Sequence, residues 1–206
     1  MLTLYGTKNS GAAAIEAALA RAGIAYTSVD AASWNPGPGL DELLRVNPLG
    51  QIPTLVSADG TVLTESAAIL IHLGLTAAPG LLMPANASDR ARAIRGLVYI
   101  AANCYAAISV IDYPERWFEP CDDAMKERIR AGTRKTLHHH WRVFADEFAI
   151  GFGAGAPGAL ELLATVVSKW SGARAHLQAE RPTFFAQLLR VEQHPDVAPV
   201  LQRHWP

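Results

Sequence analysis

Residues 47–53 read NPLGQIP and lead directly into the apolar stretch TLVS at residues 54–57. Proline has no backbone N–H to donate and is disfavoured inside a paired strand, so Pro53 marks a bend just before a strand. We expect a cis bond between Ile52 and Pro53 at this bend. Such a bend turns the backbone of Ile52 outward and leaves its N–H and C=O free to pair with an extended peptide. The stretch therefore predicts a place where a peptide ligand lies against the main chain.

The elements around this stretch predict a mixed sheet with helices packed on it. Apolar residues after the first strand recur at helical spacing and end at Gly23, a residue type that favours helix C-termini. Two strands that enclose a helix form a βαβ unit and run parallel. Asp59 and Gly60 predict a hairpin turn between the last two strands. The predicted order is βαβαββα, with strands at residues 2–6, 25–29, 54–57 and 61–63 and helices at residues 12–22, 40–46 and 65–75.

The second half of the chain shows only helical patterns. Residues 88–111 and 122–148 predict long helices, and residues 160–167 are apolar on nearly every side, which is typical of a central helix. The βαβαββα order of the first half is the pattern of a thioredoxin-like fold. We therefore expect an α/β thioredoxin-like N-terminal domain and an all-α C-terminal helical domain. The expected bounds are residues 1–76 for the first domain, 77–87 for a linker and 88–206 for the second domain.

Two further segments of the first half carry polar groups at predicted helix N-termini. Residues 5–11, YGTKNSG, place the Ser10 hydroxyl where the helix dipole favours an anion. Residues 63–69, LTESAAI, open the next helix with Glu65 and Ser66. A serine there can hold a carboxylate with its hydroxyl and N–H, and the glutamate can meet an ammonium group. Taken alone, each serine is an ordinary helix cap, so the chemistry depends on the three segments acting together.

Taken in this order, the three segments resemble the pattern of the glutathione transferase family. That pattern has a Ser, Tyr or Cys after the first strand, N-P-x-G-x-[IV]-P before the third strand and E-S-x-A-I at the start of the third helix. Residues 47–53 and 65–69 match it in full, and residues 167–206 resemble the family's C-terminal helices. The resemblance implies the glutathione transferase fold, with glutathione bound as a co-substrate.

The resemblance assigns parts of glutathione to individual residues. The backbone of Ile52 would pair with the cysteinyl part, while Glu65 would bind the γ-glutamyl ammonium and Ser66 the γ-glutamyl carboxylate. The implied glutathione-binding residues are Gln51, Ile52, Pro53, Glu65 and Ser66. Many family members bind the glycyl carboxylate with a cation before the second helix, whereas residues 34–40 contain none. The group that binds the glycyl end is therefore left open.

Ser10 takes the position of the family's sulfur-binding hydroxyl or thiol, and we expect it to be the catalytic residue. A thiol with a pKa of about 8.5 is only a few per cent thiolate at neutral pH, and the thiolate is the nucleophile. Lowering that pKa by about two units takes about 2.7 kcal/mol, which a hydrogen bond and a helix N-terminus can supply. Thr7 or Asn9 could donate to the sulfur instead, and Tyr5 is a more distant alternative because it lies in the predicted strand.

Aromatic residues of the helical half are candidates for the pocket of a hydrophobic electrophile. The family builds that pocket from its early C-terminal helices, and Tyr105 and Trp117 are the best candidates here. Most aromatic residues on helices lie in a core, so each assignment has a plain packing alternative.

No metal site is expected. Residues 138–140 are three histidines in a row, but consecutive helical residues point about 100° apart and cannot converge on one ion. Cys104 and Cys121 lack metal-type spacing, and we expect them to be unreactive packing or surface thiols.

Composition and charge argue against nucleic-acid binding, membrane binding and secretion. The formal net charge is −1, so no large field favours nucleic acid or an anionic membrane. The N-terminus lacks a secretory pattern, and the longest apolar stretches are interrupted and short, so we expect a cytoplasmic protein without a membrane partner. The family resemblance adds a two-fold homodimer to these expectations.

The sequence therefore favours a glutathione transferase, which activates glutathione as a thiolate for attack on a small hydrophobic electrophile. The resemblance also implies a role in detoxification. The main alternative is a transferase-like glutathione-binding or regulatory module with little catalysis, which the missing cation supports. A glutathione-dependent isomerase or dehalogenase is a further alternative, and nothing in the sequence separates it from a transferase.

Overall fold

A four-stranded mixed sheet forms the first half of the molecule in the computed structural model, which describes residues 1–206. The strands are β1 (Leu2–Gly6), β2 (Tyr26–Asp30), β3 (Thr54–Val56) and β4 (Val62–Leu63). Their order in the sheet is β2-β1-β3-β4, and only the β1–β2 pair is parallel. Three helices pack on this sheet: α1 (Ala12–Ala22), α2 (Pro38–Val46) and α3 (Ser66–His72), which continues as a π-helical turn over Leu73–Ala77.

The two faces of the sheet are covered by different helices, because successive strand residues point to opposite sides. Leu4 and Leu55 lie in the main core with residues of α1 and α3. Tyr5 lies on the other face in a small cluster with Ala31 and Leu43, the latter from α2. The thioredoxin-like arrangement predicted from the sequence is confirmed.

The second half of the chain is entirely helical, as predicted. Its longest helix, α6, has the length expected from the sequence, and its end at Phe148 is followed by a glycine-rich loop. A π-helical turn over Ile100–Tyr105 separates α4 from α5, and a 3₁₀ turn over Pro114–Arg116 follows α5. The helices are α4 (Ala87–Tyr99), α5 (Ala106–Asp112), α6 (Asp123–Phe148), α7 (Ala159–Val167), α8 (Ala173–Glu180), α9 (Pro182–Glu192) and α10 (Ala198–His204).

Helix α7 is the central helix that its all-round apolar surface predicted. All of its residues except Glu161 are buried, and it packs against α1, α4 and α9. The Glu161 carboxylate accepts hydrogen bonds from the N–H of Gly158 at 2.7 Å and of Gly153 at 2.8 Å. A carboxylate near a helix N-terminus is stabilising, so Glu161 ties the glycine-rich loop to the start of α7.

The helical segment Ala87–Asp112 contains an 18-residue window that is apolar enough to cross a membrane by length and composition alone, with a mean hydropathy of 1.6 and 39% of its residues buried. Leu97, Ile100 and Cys104 of this segment are fully buried among the other helices. It packs against α6 and α7. This packing is typical of the core helix of a bundle.

One hydrophobic core runs through both halves of the chain. Leu82 and Met83, which fall in the predicted linker, are buried in it, and the Leu82 carbonyl accepts a hydrogen bond from the Ala159 N–H at 2.8 Å. The division into residues 1–76, 77–87 and 88–206 stays a prediction, and the segment between the halves is a packed part of the core.

Candidate functional site

A cavity of about 600 Å³ lies between the sheet half and the helical half. This volume is in the range of about 300–1,000 Å³ that is usual for small-molecule sites. It brings together parts of all three segments that the sequence singled out, namely residues 9–11, 51–53 and 64–67. The other lining residues are Ser33, Trp34, Ala101, Tyr105, Ile108, Ser109, Asp112, Tyr113, Arg116 and Trp170.

The NPLGQIP loop is held in shape by the side chain of Asn47. This side chain is buried, and its amide donates to the Gln51 carbonyl and to the Thr54 hydroxyl, both at 3.0 Å. Its carbonyl oxygen accepts from the Leu49 N–H at 3.2 Å. Gly50 within the loop has φ 61°, a conformation that favours glycine. Sequence reasoning treated Asn47 only as part of a motif and missed this positioning role.

The loop presents Ile52 and Pro53 to the cavity, and the bond between them is cis, as predicted. Strand β3 begins only at Thr54, so the backbone of Ile52 takes no part in the ladder with β1. The exposed Gln51 lies beside Ile52 in the cavity lining. The structure thus places the backbone of residues 51–53 along the cavity wall.

Glu65 and Ser66 lie at the start of α3, and both line the cavity. The Ser66 hydroxyl is buried with its residue, whereas Glu65 is exposed to solvent. Glu65 has φ 64° and Asn9 has φ 58°, values that are uncommon outside glycine and cluster at ligand sites. These are two of the three non-glycine residues with positive φ in the chain, and both line this cavity.

Ser10 lines the cavity at the start of α1, but its hydroxyl proton has a local partner. The Ser10 Oγ donates to the Thr7 carbonyl at 2.6 Å and accepts from the Ala12 N–H at 3.2 Å. The bond from the Ala12 N–H is of the kind that a serine forms at the start of a helix, and the bond to Thr7 engages the hydroxyl proton. The hydroxyl must turn away from Thr7 before it can donate to a ligand.

The alternatives to Ser10 are placed differently from one another. Asn9 lines the cavity, and Thr7 does not. The Tyr5 hydroxyl donates to the Glu42 carboxylate at 2.7 Å, on the face of the sheet that α2 covers. Burial and this hydrogen bond raise the pKa of Tyr5 to about 12. Tyr5 therefore has no contact with the cavity, and Asn9 is the remaining neighbour of Ser10.

Tyr105 reaches the centre of the cavity from the helical half. Its hydroxyl lies 3.5 Å from the Ser66 Oγ. A Cβ atom built on Gly11 would lie only 2.6 Å from this Tyr105 hydroxyl. The ring packs against Trp170 with centroids 5.9 Å apart. Burial raises the pKa of Tyr105 to about 12, while the contact with Ser66 opposes the shift. The phenol is therefore protonated at physiological pH and can act as a hydrogen-bond donor.

Trp117 does not line this cavity, so its assignment to the electrophile pocket stays a prediction that the cavity lining does not support. Its side chain is 62 % exposed and lies outside the lining. Pro114 ends α5, and the 3₁₀ turn that follows directs Tyr113 and Arg116 to the cavity instead. Sequence reasoning missed Arg116 because residue type alone does not reveal which side of a turn faces inward.

The histidines and cysteines lie elsewhere. His138 stacks on His176 with ring centroids 4.3 Å apart, and burial together with His176 lowers the pKa of His138. His140 packs edge-on against Tyr99. No group of three or more His, Cys, Asp or Glu residues is arranged to hold a metal ion. Burial raises the pKa of the Cys104 thiol to about 12, so this thiol is not a ready nucleophile.

The comparisons with known proteins agree with this fold. Residues 12–75 match the family model of the glutathione S-transferase N-terminal domain. The uncharacterized GST-like protein YncG of Escherichia coli (strain K12) is 34% identical over 139 residues, which cover 67% of each chain. The glutathione S-transferase GstA of Escherichia coli O157:H7 is 32% identical over 108 residues, or 52% of this chain and 51% of that protein.

The solved structures agree at the level of the fold. A glutathione transferase homologue from Sulfitobacter, solved with bound glutathione, superposes with a TM-score of 0.83 at 21% identity and covers 98% of both chains. A thioredoxin-like half joined to an all-helical half, with a cavity between them, defines the architecture of a glutathione transferase. This chain belongs to the glutathione S-transferase family.

Proposed function

We propose that this protein binds glutathione in the cavity between its halves and activates it as a thiolate for attack on a hydrophobic electrophile. One observation carries the proposal: Ser10, Ile52 and Ser66, which the sequence assigned to sulfur, peptide backbone and carboxylate, line one cavity. A cavity with a few convergent polar groups is the usual place for a small-molecule ligand, so these three positions support a single bound tripeptide.

The first step is recognition of the tripeptide. Its γ-glutamyl carboxylate would accept hydrogen bonds from the Ser66 hydroxyl and the start of α3, while the exposed Glu65 carboxylate would pair with the ammonium. The cysteinyl backbone would pair with the Ile52 N–H and C=O, with Gln51 and Pro53 on either side. The Sulfitobacter homologue carries glutathione in a fold of the same type, which supports this ligand.

The second step is activation of the sulfur. A sulfur at the start of α1 lies where the helix dipole favours the thiolate. The Ser10 hydroxyl would turn from the Thr7 carbonyl and donate to the sulfur. Its present 2.6 Å hydrogen bond to Thr7 would then be lost. The activated thiolate would then attack an electrophile held next to it, mainly through proximity. The apolar and aromatic part of the lining, Ile108, Tyr113 and Trp170, would hold that electrophile.

Calorimetric titration with glutathione tests the binding step. We expect the wild-type protein to bind, and the double variant Glu65→Ala/Ser66→Ala to bind at least about tenfold more weakly, because two charge-assisted contacts are lost. Glu115→Ala/Ser88→Ala is the matched control, since neither residue lines the cavity. Unchanged binding in the Glu65/Ser66 variant would show that glutathione, if bound, lies elsewhere.

A glutathione-binding module with little catalysis is the second candidate, and the Ser10 geometry favours it. The hydroxyl proton of Ser10 is committed to Thr7, so the sulfur contact depends on a rearrangement. The ultraviolet absorbance of bound thiolate, followed against pH, separates the two candidates. A transferase shows a bound-thiol pKa well below about 8.5, and Ser10→Ala raises it towards that value. If binding leaves the pKa of the glutathione thiol unchanged, the result favours the glutathione-binding module.

Several finer features are part of the same proposal. A two-fold homodimer and a role in detoxification rest on the family alone. A cytoplasmic location and the absence of nucleic-acid or membrane partners rest on the low net charge and the sequence pattern. Isomerisation or dehalogenation with glutathione would use the same site and is separated from transfer by product analysis. Light scattering at several protein concentrations tests the dimer.

A further inference from the structure

The cavity contains one guanidinium, that of Arg116, and no lysine. Arg116 ends the 3₁₀ turn Pro114–Arg116, just beyond α5. The turn is well anchored: Pro114 is buried, and the Arg116 N–H donates to the Tyr113 carbonyl at 3.1 Å. Arg116 is exposed to solvent and lines the cavity from the helical half of the chain.

The Arg116 side chain is positioned by an aromatic ring. Its guanidinium carbon lies 3.9 Å from the centroid of the Tyr113 ring, which is a cation–π contact. Stacking engages the face of the guanidinium and leaves the N–H donors at its edge free. Those edge donors match the two oxygens of a carboxylate.

Arg116 also has no acidic partner. Arg116 forms no ion pair, as is true of several other arginines of the helical half, whereas Arg130, Arg174 and Arg181 pair with carboxylates. Asp112 lines the same cavity but forms no ion pair with Arg116. A positive charge aligned by an aromatic ring and lacking a counter-ion is suited to an anionic ligand.

The surroundings of Arg116 indicate which end of the bound ligands it meets. The proposed function assigns the γ-glutamyl end of glutathione to Ser66 and its cysteinyl part to Ile52, and it leaves the glycyl end open. Arg116 adjoins Tyr113, next to the apolar wall assigned above to the electrophile.

We propose that the second substrate is an electrophile with an apolar ring and a carboxylate, and that Arg116 binds this carboxylate through two parallel hydrogen bonds while the ring lies against Tyr113 and Trp170. The proposal rests on the proposed function and narrows its substrate class. When chlorodinitrobenzoate serves as the electrophile, the thiolate forms a C–S bond at the chlorine-bearing carbon, chloride leaves with the C–Cl electron pair, and the thiol proton passes to solvent.

Binding of two reaction products tests this subsite without requiring turnover. The probes are the dinitrophenyl conjugate of glutathione and the same conjugate with a carboxylate on the ring. We expect the wild-type protein to bind the carboxylate conjugate about tenfold more tightly, and Arg116→Gln to abolish that preference. Arg116→Lys should keep part of it, because charge is retained and the paired geometry is lost.

The outcomes separate this proposal from the one on which it rests. If glutathione alone does not bind the wild-type protein, the proposed function fails and this inference fails with it. If glutathione binds but both conjugates bind equally well, or Arg116→Gln retains the preference, only the Arg116 assignment is overturned. If Arg116→Gln weakens glutathione and both conjugates by the same factor, Arg116 meets the glycyl carboxylate, which also overturns the proposal. Thermal melts of each variant confirm that the fold is intact.

Discussion

The hydroxyl of Tyr105 lies 3.5 Å from the hydroxyl of Ser66, although the two residues are 39 positions apart and belong to different halves of the chain. The phenol therefore spans the cavity and sits over the start of α1 and of α3 together. Two neighbouring hydroxyls that can both donate form a better anion site than either one alone. The helical half thus contributes directly to the region where the γ-glutamyl end of glutathione is proposed to bind.

Tyr105→Phe is expected to weaken glutathione binding by about tenfold, because one hydrogen bond to a charged ligand is lost and the ring is kept. Since the pKa of Tyr105 is raised to about 12, the hydroxyl stays protonated and the effect should be the same from pH 6 to pH 9. Calorimetry measures the loss. Tyr99→Phe, which removes another half-buried phenol hydroxyl outside the cavity, should leave the affinity unchanged. Equal affinities of wild type and Tyr105→Phe would exclude this contact.

Gly11→Ala is expected to impair binding while the protein stays folded. Gly11 has φ −61°, which alanine adopts freely, but its new Cβ would lie 2.6 Å from the Tyr105 Oη and 3.0 Å from the Ser66 Oγ. Both hydroxyls must move, and we expect at least a tenfold weaker affinity for glutathione by calorimetry.

Gly132→Ala is the matched control for this change. A Cβ on Gly132 in the middle of α6 meets nothing within 4 Å. Alanine there should raise the free energy of unfolding by about 0.5–1 kcal/mol through helix propensity and leave glutathione binding unaltered. Normal binding by Gly11→Ala would contradict the close approach of Tyr105.

Asn47→Ala is expected to lower the free energy of unfolding by about 2–3 kcal/mol, since a buried side chain with three hydrogen bonds is lost. Glutathione affinity should fall as well, because the NPLGQIP loop loses its internal support. Urea unfolding and calorimetry measure the two effects. Asn86→Ala, which removes the cap of α4, should lower stability by about 1 kcal/mol and leave binding unchanged. Unchanged stability of Asn47→Ala would contradict the positioning role.

Glu16→Gln is expected to destabilise the protein at neutral pH and to have little effect in acid. Burial alone would raise the pKa of Glu16, but hydrogen bonds from His204, Arg203 and Tyr26 outweigh burial and lower it. A lowered native pKa contributes stability above the unfolded-state value of 4.5 and loses it as the pH falls through the native value. Thermal unfolding from pH 3 to pH 7 should show that the melting temperatures of the wild-type protein and Glu16→Gln differ at neutral pH and become equal in acid.

Glu127→Gln is the control for this pH dependence, because Glu127 pairs with Arg130 at an exposed surface where ion pairs contribute little. The melting temperature of Glu127→Gln should equal that of the wild-type protein at every pH. If the melting temperatures of the wild-type protein and Glu16→Gln differ by the same amount from pH 3 to pH 7, the charge of Glu16 does not contribute to stability.

Much of the fold follows from short stretches of sequence. Pro53 ahead of an apolar strand, Gly23 at the end of a helical pattern and the apolar circumference of α7 each identify an element within a few residues. These signals are reliable because they depend on backbone chemistry that acts locally: a missing N–H, a permitted positive φ, a helix with no polar face. The residues proposed to bind glutathione also lie in contiguous motifs, but their roles came from the resemblance of those motifs to the glutathione transferase family.

The contribution of the helical half to the cavity could be predicted only in part: the sequence analysis named Tyr105, which lines the cavity, but not Arg116 or Trp170. The π-helical turn Ile100–Tyr105 changes the angular position of every later side chain, and periodicity along the sequence does not reveal such a turn. Tyr105 therefore faces Ser66 and Arg116 faces the cavity, while Trp117, one residue further on, faces solvent. The direction of the Ser10 proton likewise depends on a competing carbonyl three residues earlier in the folded turn.

Local patterns in this chain establish which backbone elements form and which polar groups stand at their ends, because those properties arise from neighbours in sequence. Which side chains from the two halves meet across the cavity is settled only when the halves pack on one core. Helix rotation and turn geometry then select the facing residues, and a shift of one position, about 100° on a helix, exchanges an inward residue for an outward one.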